Sequence, residues 1–190
     1  MTYEVENKFA VADLPELRRR IESLGGCLCD IENQADSYFN HPLRDFRLTD
    51  EALRIRESNG KVQITFKGPR AGESIKIREE IELPIAETDE GGERAKTFFR
   101  RLGFRFVACI HKRRTTLRIQ RDKWSILVCL DEVVELGSFV EIEAMSESED
   151  LAQAKQIVCQ LQQEIGLGEP ILTSYLRMLL AKHSADDSAV

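Results

Sequence analysis

The chain has 190 residues, 42% of them hydrophobic and 32% charged, with a formal net charge of -6. That length suits one domain, and the acidic balance argues against duplex nucleic-acid binding, which relies on neutralising phosphates. No apolar run is long enough to span a bilayer, and charge as early as Glu4 leaves no core for a signal peptide.

The first stretch, Tyr3 to Phe9, reads as a strand with two unlike faces. Alternate residues of a strand share a side, so Glu4, Glu6 and Lys8 lie together, opposite Tyr3, Val5, Asn7 and Phe9. Asp13-Leu14-Pro15-Glu16 then opens a helix, Leu14, Leu17, Ile21 and Leu24 form its apolar stripe, and Gly25-Gly26 ends it. Residues 27–40 read as extended and 41–51 as a polar loop broken by His41-Pro42.

Ala52 to Lys67 is the clearest hairpin, because Asn59-Gly60 is a strong two-residue turn signal. That loop sets Arg54 against Thr65 and Arg56 against Gln63, with Leu53 against Phe66 and Ile55 against Ile64. Both strands therefore agree on the polar face, which Lys67 continues. The next strand, Ile75 to Leu83, carries Arg78, Glu80 and Glu82 on one face; Glu79 falls among its apolar residues. A helix from about Asp89 to Leu102 turns Ala95, Phe98, Phe99 and Leu102 toward a core.

A long strand from Phe104 to Ile119 places Lys112, Arg114 and Thr116 on one face. A two-residue turn at Arg121-Asp122 would return Trp124 to Glu132 with Asp131 opposite Lys112. A three-residue turn ending at a left-handed Gly137 would set Asp131 opposite Glu141 in Phe139 to Glu143. Opposed acids need something positive between them. Ser146-x-x-Glu149 caps a further helix with Leu151, Ala154, Ile157 or Val158, Leu161 and Ile165 inward. A short last helix covers about Thr173 to Ala181. The domain is expected to span 1–182, with a disordered tail over 183–190.

Five cysteines (27, 29, 109, 129 and 159) without a Cys-x-x-Cys fit free thiols in a reducing cytosol, so a cytoplasmic protein is expected. The three histidines (41, 111 and 183) show no zinc or triad spacing, and His111, on the face opposite Lys112, reads as a packing residue.

Counted strand by strand, one face carries the acids Glu4, Glu6, Glu80, Glu82, Asp131, Glu141 and Glu143. It also carries the bases Lys8, Arg54, Arg56, Lys67, Arg78, Lys112 and Arg114. Eight antiparallel strands can close into a barrel wide enough for one small ligand. A lumen lined this way needs water, metal ions and a highly charged ligand, because unpaired buried charges are prohibitively costly. Carboxylates without Cys or His suit Mg²⁺ or Mn²⁺, and Arg and Lys suit phosphate oxygens. A metal-bound polyphosphate satisfies both. Periodicity alone does not separate this from an exposed sheet face laced with ion pairs worth about 0–1 kcal/mol each.

Glu4-x-Glu6-x-Lys8 resembles the signature of the CYTH, or triphosphate tunnel metalloenzyme, superfamily. Leu53-Arg54-Ile55-Arg56, Thr65-Phe66-Lys67-Gly68, Arg78-x-Glu80-x-Glu82, Lys112-x-Arg114, Asp131 and Leu136-Gly137-x-Phe139-x-Glu141-x-Glu143 follow in the family's order. The resemblance implies an α+β fold: an eight-stranded antiparallel β-barrel, or tunnel, with a charged interior and helices packed outside. The run from Asp36-x-Tyr38-Phe39-Asn40-His41-Pro42 to Arg54 is most similar to the class IV adenylyl cyclase-like branch. Asn40 departs from it, standing where many members carry Asp. Ser174-Tyr175 is similar to a pair that closes one tunnel mouth.

By that resemblance, Lys8, Arg54, Arg56, Lys67, Arg78, Lys112 and Arg114 would bind the triphosphate, with Lys8, Lys112 and Arg114 also catalytic. Glu4, Glu6, Asp131, Glu141 and Glu143 would hold Mg²⁺ or Mn²⁺. The implied reaction is ATP to cyclic AMP and pyrophosphate. Hydrolysis of inorganic or thiamine triphosphate and non-catalytic polyphosphate binding are the alternatives. The expected partner is a small-molecule triphosphate, without nucleic acid or membrane, and with room for a homodimer.

Overall fold

The computed structural model describes residues 2–71, 75–87 and 90–187. Eight strands close into one barrel: β1 (Thr2–Ala10), β2 (Cys27–Asn40), β3 (Ala52–Ser58), β4 (Lys61–Lys67), β5 (Lys76–Ala86), β6 (Arg105–Arg121), β7 (Trp124–Val133) and β8 (Gly137–Glu147). The order around the wall is β1-β5-β4-β3-β2-β6-β7-β8, and every neighbouring pair is antiparallel. The helices are α1 (Leu14–Ser23), α2 (Phe46–Thr49), α3 (Gly91–Arg101), α4 (Leu151–Ile165) and α5 (Tyr175–Asp187). The expected α+β tunnel is the observed fold.

The apolar phase of the strands meets the helices outside the barrel. Val5, Phe9, Leu117, Ile126, Val128, Val140 and Ile142 pack with Leu17 and Ile21 of α1 and Ala154, Val158, Leu161 and Ile165 of α4. A second cluster joins Ala95 and Phe99 of α3 to Leu53, Ile55 and Val62. Burying such side chains stabilises by about 1.5–3 kcal/mol each. The charged phase has only the lumen left to face. A third cluster unites Ile110, Val133 and Phe139 with Tyr175 and Leu179, so α5 covers the barrel end where β7 finishes and β8 begins.

Local chemistry explains the boundaries. The Asp13 carboxylate caps α1 by accepting from the Glu16 amide at 2.8 Å. Asn59 and Gly60 take the positive φ values, 48° and 78°, that a tight hairpin needs, and β3 pairs with β4 in the expected register. The next two turns differ from expectation. The β6–β7 turn is Asp122-Lys123, so Arg114 rather than Lys112 lies opposite Asp131, and Lys112 faces Val133. The β7–β8 turn is Val134 to Leu136, so Asp131 faces Phe139 and Glu141 faces Cys129. Both slips are by two residues, which changes partners but not faces.

Other expectations are corrected too. Phe98 and Leu102 are exposed, because the face of α3 that meets the sheet carries Ala95 and Phe99, with Gly91 and Gly92 also buried. Its expected start at Asp89 lies outside the described residues. Ser146 lies within β8 and donates to the Glu147 carbonyl; α4 follows a 3-10 turn at Ser148–Asp150 and has no side-chain cap. The polar loop contains α2, capped by Asp45. Asn40 organises that loop, accepting from the Phe46 amide at 2.8 Å and donating to Asp45 at 3.0 Å. His111 is exposed rather than packed. The last helix continues through His183, which contacts Glu135 at 2.9 Å, to Asp187; residues 188–190 lie outside the described chain.

Candidate active site

All eight strands project charged side chains into the lumen, and the structure sorts those side chains into three groups. The first lies on β1 and β8. Glu6 sits directly across from Glu143, Glu4 across from Met145, and Lys8 across from Glu141. One carboxylate oxygen from each of Glu4, Glu6 and Glu143 falls within 4.8 Å of the others. Each acid also holds a base: Glu4 with Lys67, Glu6 with Lys76 at 2.6 Å, and Glu143 with Arg114 at 3.3 Å. Burial, reinforced by the nearby Glu4, Glu141 and Glu6 charges and opposed by Arg114, pushes the Glu143 carboxyl up to about 8. Three crowded carboxylates with no Cys or His are the donor set of a hard divalent cation. The residues fit the metal that the sequence implies.

The second group, on β2, β3, β4 and β5, is basic. The Arg56 guanidinium grips Asp36 through two hydrogen bonds of 2.6 and 2.7 Å, and Arg54 adds a third at 3.3 Å. Burial alone would raise the Asp36 carboxyl, but the Arg56 and Arg54 charges hold it well below the usual range. Lys67 reaches Glu80 at 3.2 Å, and Arg54 lies 3.9 Å from both Glu80 and Glu82. The buried Arg54 Nε, Thr65 Oγ1, Gln34 Oε1 and Ser58 Oγ have no hydrogen-bond partner among the described residues. Orphaned groups of this kind suit a polar ligand. Arg78 is anchored apart, to the Asp50 carbonyl at 3.0 Å and carboxylate at 3.1 Å.

The third group lies under α5. Arg114 makes a bidentate pair with Asp131, at 2.7 and 2.6 Å, and also contacts Glu141. Lys112 reaches Asp131 at 3.4 Å, and the Tyr175 hydroxyl donates to it at 3.0 Å. The Tyr175 ring lies 4.2 Å from the Lys8 ammonium and 5.2 Å from that of Lys112. Burial pulls the Lys8 ammonium down to about 8, partly offset by Glu141.

Of the five acids expected at a metal, Glu4, Glu6 and Glu143 gather, while Asp131 and Glu141 are taken up by Arg114. The expected bases all line the tunnel or its rim. Strand alternation left three lining residues out of the expected site, of which Asp36 and Tyr175 entered the sequence analysis only through the family resemblance. Lys76 is in phase with Arg78, Glu80 and Glu82 and could have been counted. Asp36 lies on a strand without clean alternation, so only its pairing opposite Arg56 marks it. Tyr175 reaches the lumen from a helix, where strand periodicity carries no signal.

A closed barrel whose lumen holds clustered carboxylates beside converging Arg and Lys defines a tunnel of the triphosphate-handling class. The CYTH domain family model matches residues 2–174. The chain belongs to the CYTH family, whose members act on triphosphates using divalent metals. It is 39% identical over 140 residues, 74% of this chain and 75% of the other, to the Methanocaldococcus jannaschii protein named "Putative adenylate cyclase MJ0240". Among solved structures it resembles PH1819 from Pyrococcus horikoshii OT3, with a TM-score of 0.82 and 35% identity over 94% of this chain and 99% of that one. It also resembles the Hippeastrum adenylyl cyclase-type protein HpAC1, for which a dominant triphosphatase activity is recorded. There the TM-score is 0.66 at 16% identity, over 96% of each chain, a likeness of fold alone.

Proposed function

We propose that this protein is an adenylate cyclase, converting ATP to cyclic AMP and pyrophosphate with Mg²⁺ or Mn²⁺. The carrying observation is the Glu4–Glu6–Glu143 cluster, set in a tunnel that also gathers Lys8, Arg54, Arg56, Lys67, Lys76, Lys112 and Arg114 and is covered by α5 at one end. The name of the M. jannaschii relative supports the same reading. Five unbridged thiols fit a cytosolic setting.

Glu4, Glu6 and Glu143 would hold the cation; Asp131 and Glu141 instead keep Arg114 in place. Bound there, the metal would supply Lewis acidity that lowers the pKa of the ribose 3′-hydroxyl. Without ligand, the acids and bases of the tunnel neutralise one another. Substrate binding would exchange partners: Glu4, Glu6 and Glu143 would hold the cation, while Lys67 and Lys76 would be freed for phosphate, joined by Lys8, Arg54, Arg56 and Lys112. Arg78 serves at the rim. In the reaction the 3′-oxygen gives its proton to solvent and bonds to the α-phosphorus, and the bond from that phosphorus to the bridging oxygen breaks, the electron pair leaving with the pyrophosphate. Lys8, Lys112 and Arg114 stabilise the charge on the departing pyrophosphate.

Product chromatography after incubation with ATP and Mn²⁺ or Mg²⁺ at alkaline pH tests this, with cyclic AMP and pyrophosphate expected. The second reading is hydrolysis of a triphosphate, favoured by the activity of the Hippeastrum protein. Orthophosphate from inorganic or thiamine triphosphate, with no cyclic nucleotide from ATP, would replace the cyclase reading by that one.

A further inference from the structure

Outside the tunnel, the wall of β4 and β5 beside α3 carries apolar surface that the fold leaves uncovered. On β5 the phase that packs under helices begins with the buried Ile77, yet Ile81 and Leu83 further along it are 47% and 54% exposed. Leu83 lies directly across from Ile64 and Ile81 across from Phe66, both only partly buried against the α3 cluster. Phe98 and Leu102 of α3, expected in the core, are 60% and 55% exposed. Lys96 marks one flank of α3 by reaching Glu57 of β3. Residues 98 and 102 turn the other way from the buried Ala95 and Phe99, so they overhang β4 and β5, which α3 also contacts. Together the four exposed side chains present roughly 400 Å², within the range of about 300–600 Å² for a monomer's largest and often functional patch.

Three charged groups frame this patch without serving the fold. Glu79 interrupts the apolar phase of β5 at the head of the Ile81–Leu83 stripe, and Arg94 and Arg101 stand one helical turn to either side of Phe98. Among the described residues none of these three side chains makes a hydrogen bond or ion pair. The sheet half of the patch is therefore acidic and the helix half basic. Glu79 and Arg101 lie at the same end of the wall. Gly92 of α3 sits against Glu57 near the β3–β4 turn, Phe99 sits against Phe39 at the opposite end, and Glu79 is bonded there to Gly68. Strand-to-strand addition is disfavoured. Ile77 and Glu79 turn their backbone groups to the β4 side, so Glu80, Glu82 and Pro84 turn theirs to the other, where β1 pairs only as far as Glu79. Pro84 has no N–H to offer at that edge. The face, not the edge, is left to dock.

We propose that this face binds a second copy of the chain through an isologous contact whose two-fold axis runs along the strands. Such an axis keeps height along the strands and exchanges the two halves of the patch, so β5 of each copy lies against α3 of the other. Ile81 and Leu83 pack on the partner's Phe98 and the partner's Leu102, and Glu79 meets the partner's Arg101. An occupant of one charge sign would leave either Glu79 or the arginines facing their own sign, whereas a second copy satisfies both. With Ile64, Phe66 and the charged rim added, the patch approaches the roughly 800 Å² that each partner gives to a standard interface. The contact uses only the outer wall, so it stands apart from the triphosphate reading and leaves the lumen residues untouched.

Sedimentation equilibrium of the full chain tests this, with a monomer–dimer equilibrium expected for wild type within about 1–100 µM. A monomer throughout that range would overturn the proposal. Leu83→Arg and Phe98→Asp should each weaken association roughly a hundredfold, because the two-fold repeats every change. A dimer that either folded variant leaves intact would place the interface elsewhere and refute this one. The charge pair tests the orientation with substitutions at the rim alone. Glu79→Arg and Arg101→Glu should each weaken association roughly fivefold, and the double variant should recover the wild-type value. A double variant no better than the singles would refute the two-fold pairing. Amide exchange of wild type requires no variant. Raising the concentration should slow exchange in peptides covering residues 79–85 and 94–102, and slowing confined to other peptides would overturn the inference.

Discussion

Two sets of carboxylates share the tunnel and are neutralised differently. Asp36 and Asp131 are each gripped by both arms of an arginine, Arg56 and Arg114, with further donors behind them. Glu4 and Glu6 each lean on one lysine, and Glu143 on the far arm of an arginine engaged elsewhere. A fork-to-fork pair is a fixed geometry with two parallel bonds, whereas a lysine is a point charge on a flexible stem. The first arrangement holds the lining in place. The second can open, releasing an acid to a cation and a base to a phosphate.

The largest effect should come from the exchangeable set. Glu6→Gln keeps the shape and removes a charge from the cluster. We expect turnover to fall by roughly a hundredfold or more, a loss of about 2.7 kcal/mol or more at the transition state, with the fold intact by circular dichroism. Turnover that survives in Glu6→Gln, or after exhaustive chelation, would mean that the cluster does not hold the metal. Asp131→Asn should show the opposite profile. Leaving Arg114 buried without its bidentate partner should cost about 3–5 kcal/mol of stability in urea unfolding. If Asp131→Asn unfolds like wild type yet is inactive, the two sets have been assigned the wrong way round.

Titration sharpens the same contrast. Glu143 binds its proton more tightly in the folded protein, at about 8 against an ordinary 4.5, so the native state retains a proton that the unfolded chain has lost. Stability of the metal-free protein should therefore fall as pH rises through that window. Lys8 behaves inversely: its ammonium is lowered from 10.5 to about 8, so stability from this group is recovered as pH rises from 8 to 10.5. A plot of melting temperature against pH without metal should pass through a minimum near pH 8. Saturating Mn²⁺ should flatten the acidic limb, because a cation replaces the proton on Glu143. An acidic limb unchanged by Mn²⁺ would separate Glu143 from the metal.

Affinity for tripolyphosphate gives a smaller effect. Arg56→Ala should weaken it by roughly tenfold, since a charge-assisted bond contributes about 1.5–3 kcal/mol. Arg19→Ala, whose guanidinium pairs with Glu16 on the exposed face of α1, should change nothing measurable. Equal effects would mean that the phosphate lies outside the barrel.

Much of this site was legible because strand alternation is a local property. The faces of β1, β3 and β4 follow from neighbouring residues and one Asn-Gly turn. The faces of β6, β7 and β8 survived even though both turns were displaced, since each slip moved the pairing by two residues. What alternation cannot carry is the closure of the barrel. Whether Glu143 meets Glu6 or Asp131 depends on how β8 lies against β1, more than a hundred residues earlier in the chain. Five acids therefore looked equivalent, and what sets Glu4, Glu6 and Glu143 apart is that their carboxylate oxygens converge within 4.8 Å of one another across the β1–β8 seam. Asp36 was hidden for a related reason: the buried Asp36-Ser37 pair in β2 breaks the alternation that marks other strands.

Tyr175 bridges the comparison, because it touches the fixed set through its hydroxyl and the mobile bases through its ring. Tyr175→Phe removes only the hydrogen bond to Asp131, which keeps both bonds from Arg114. The ring stays over Lys8 and within the Ile110–Val133–Phe139–Leu179 cluster. The expected cost is therefore about 1 kcal/mol of stability, with tripolyphosphate affinity unchanged within about twofold. Tyr175→Ala would lose the packing and the cation–π contact as well, and should be worse on both counts. If Tyr175→Phe alone abolished binding, the hydroxyl rather than the plug formed by α5 would be the active feature, and Asp131 would move from the supporting set to the working one.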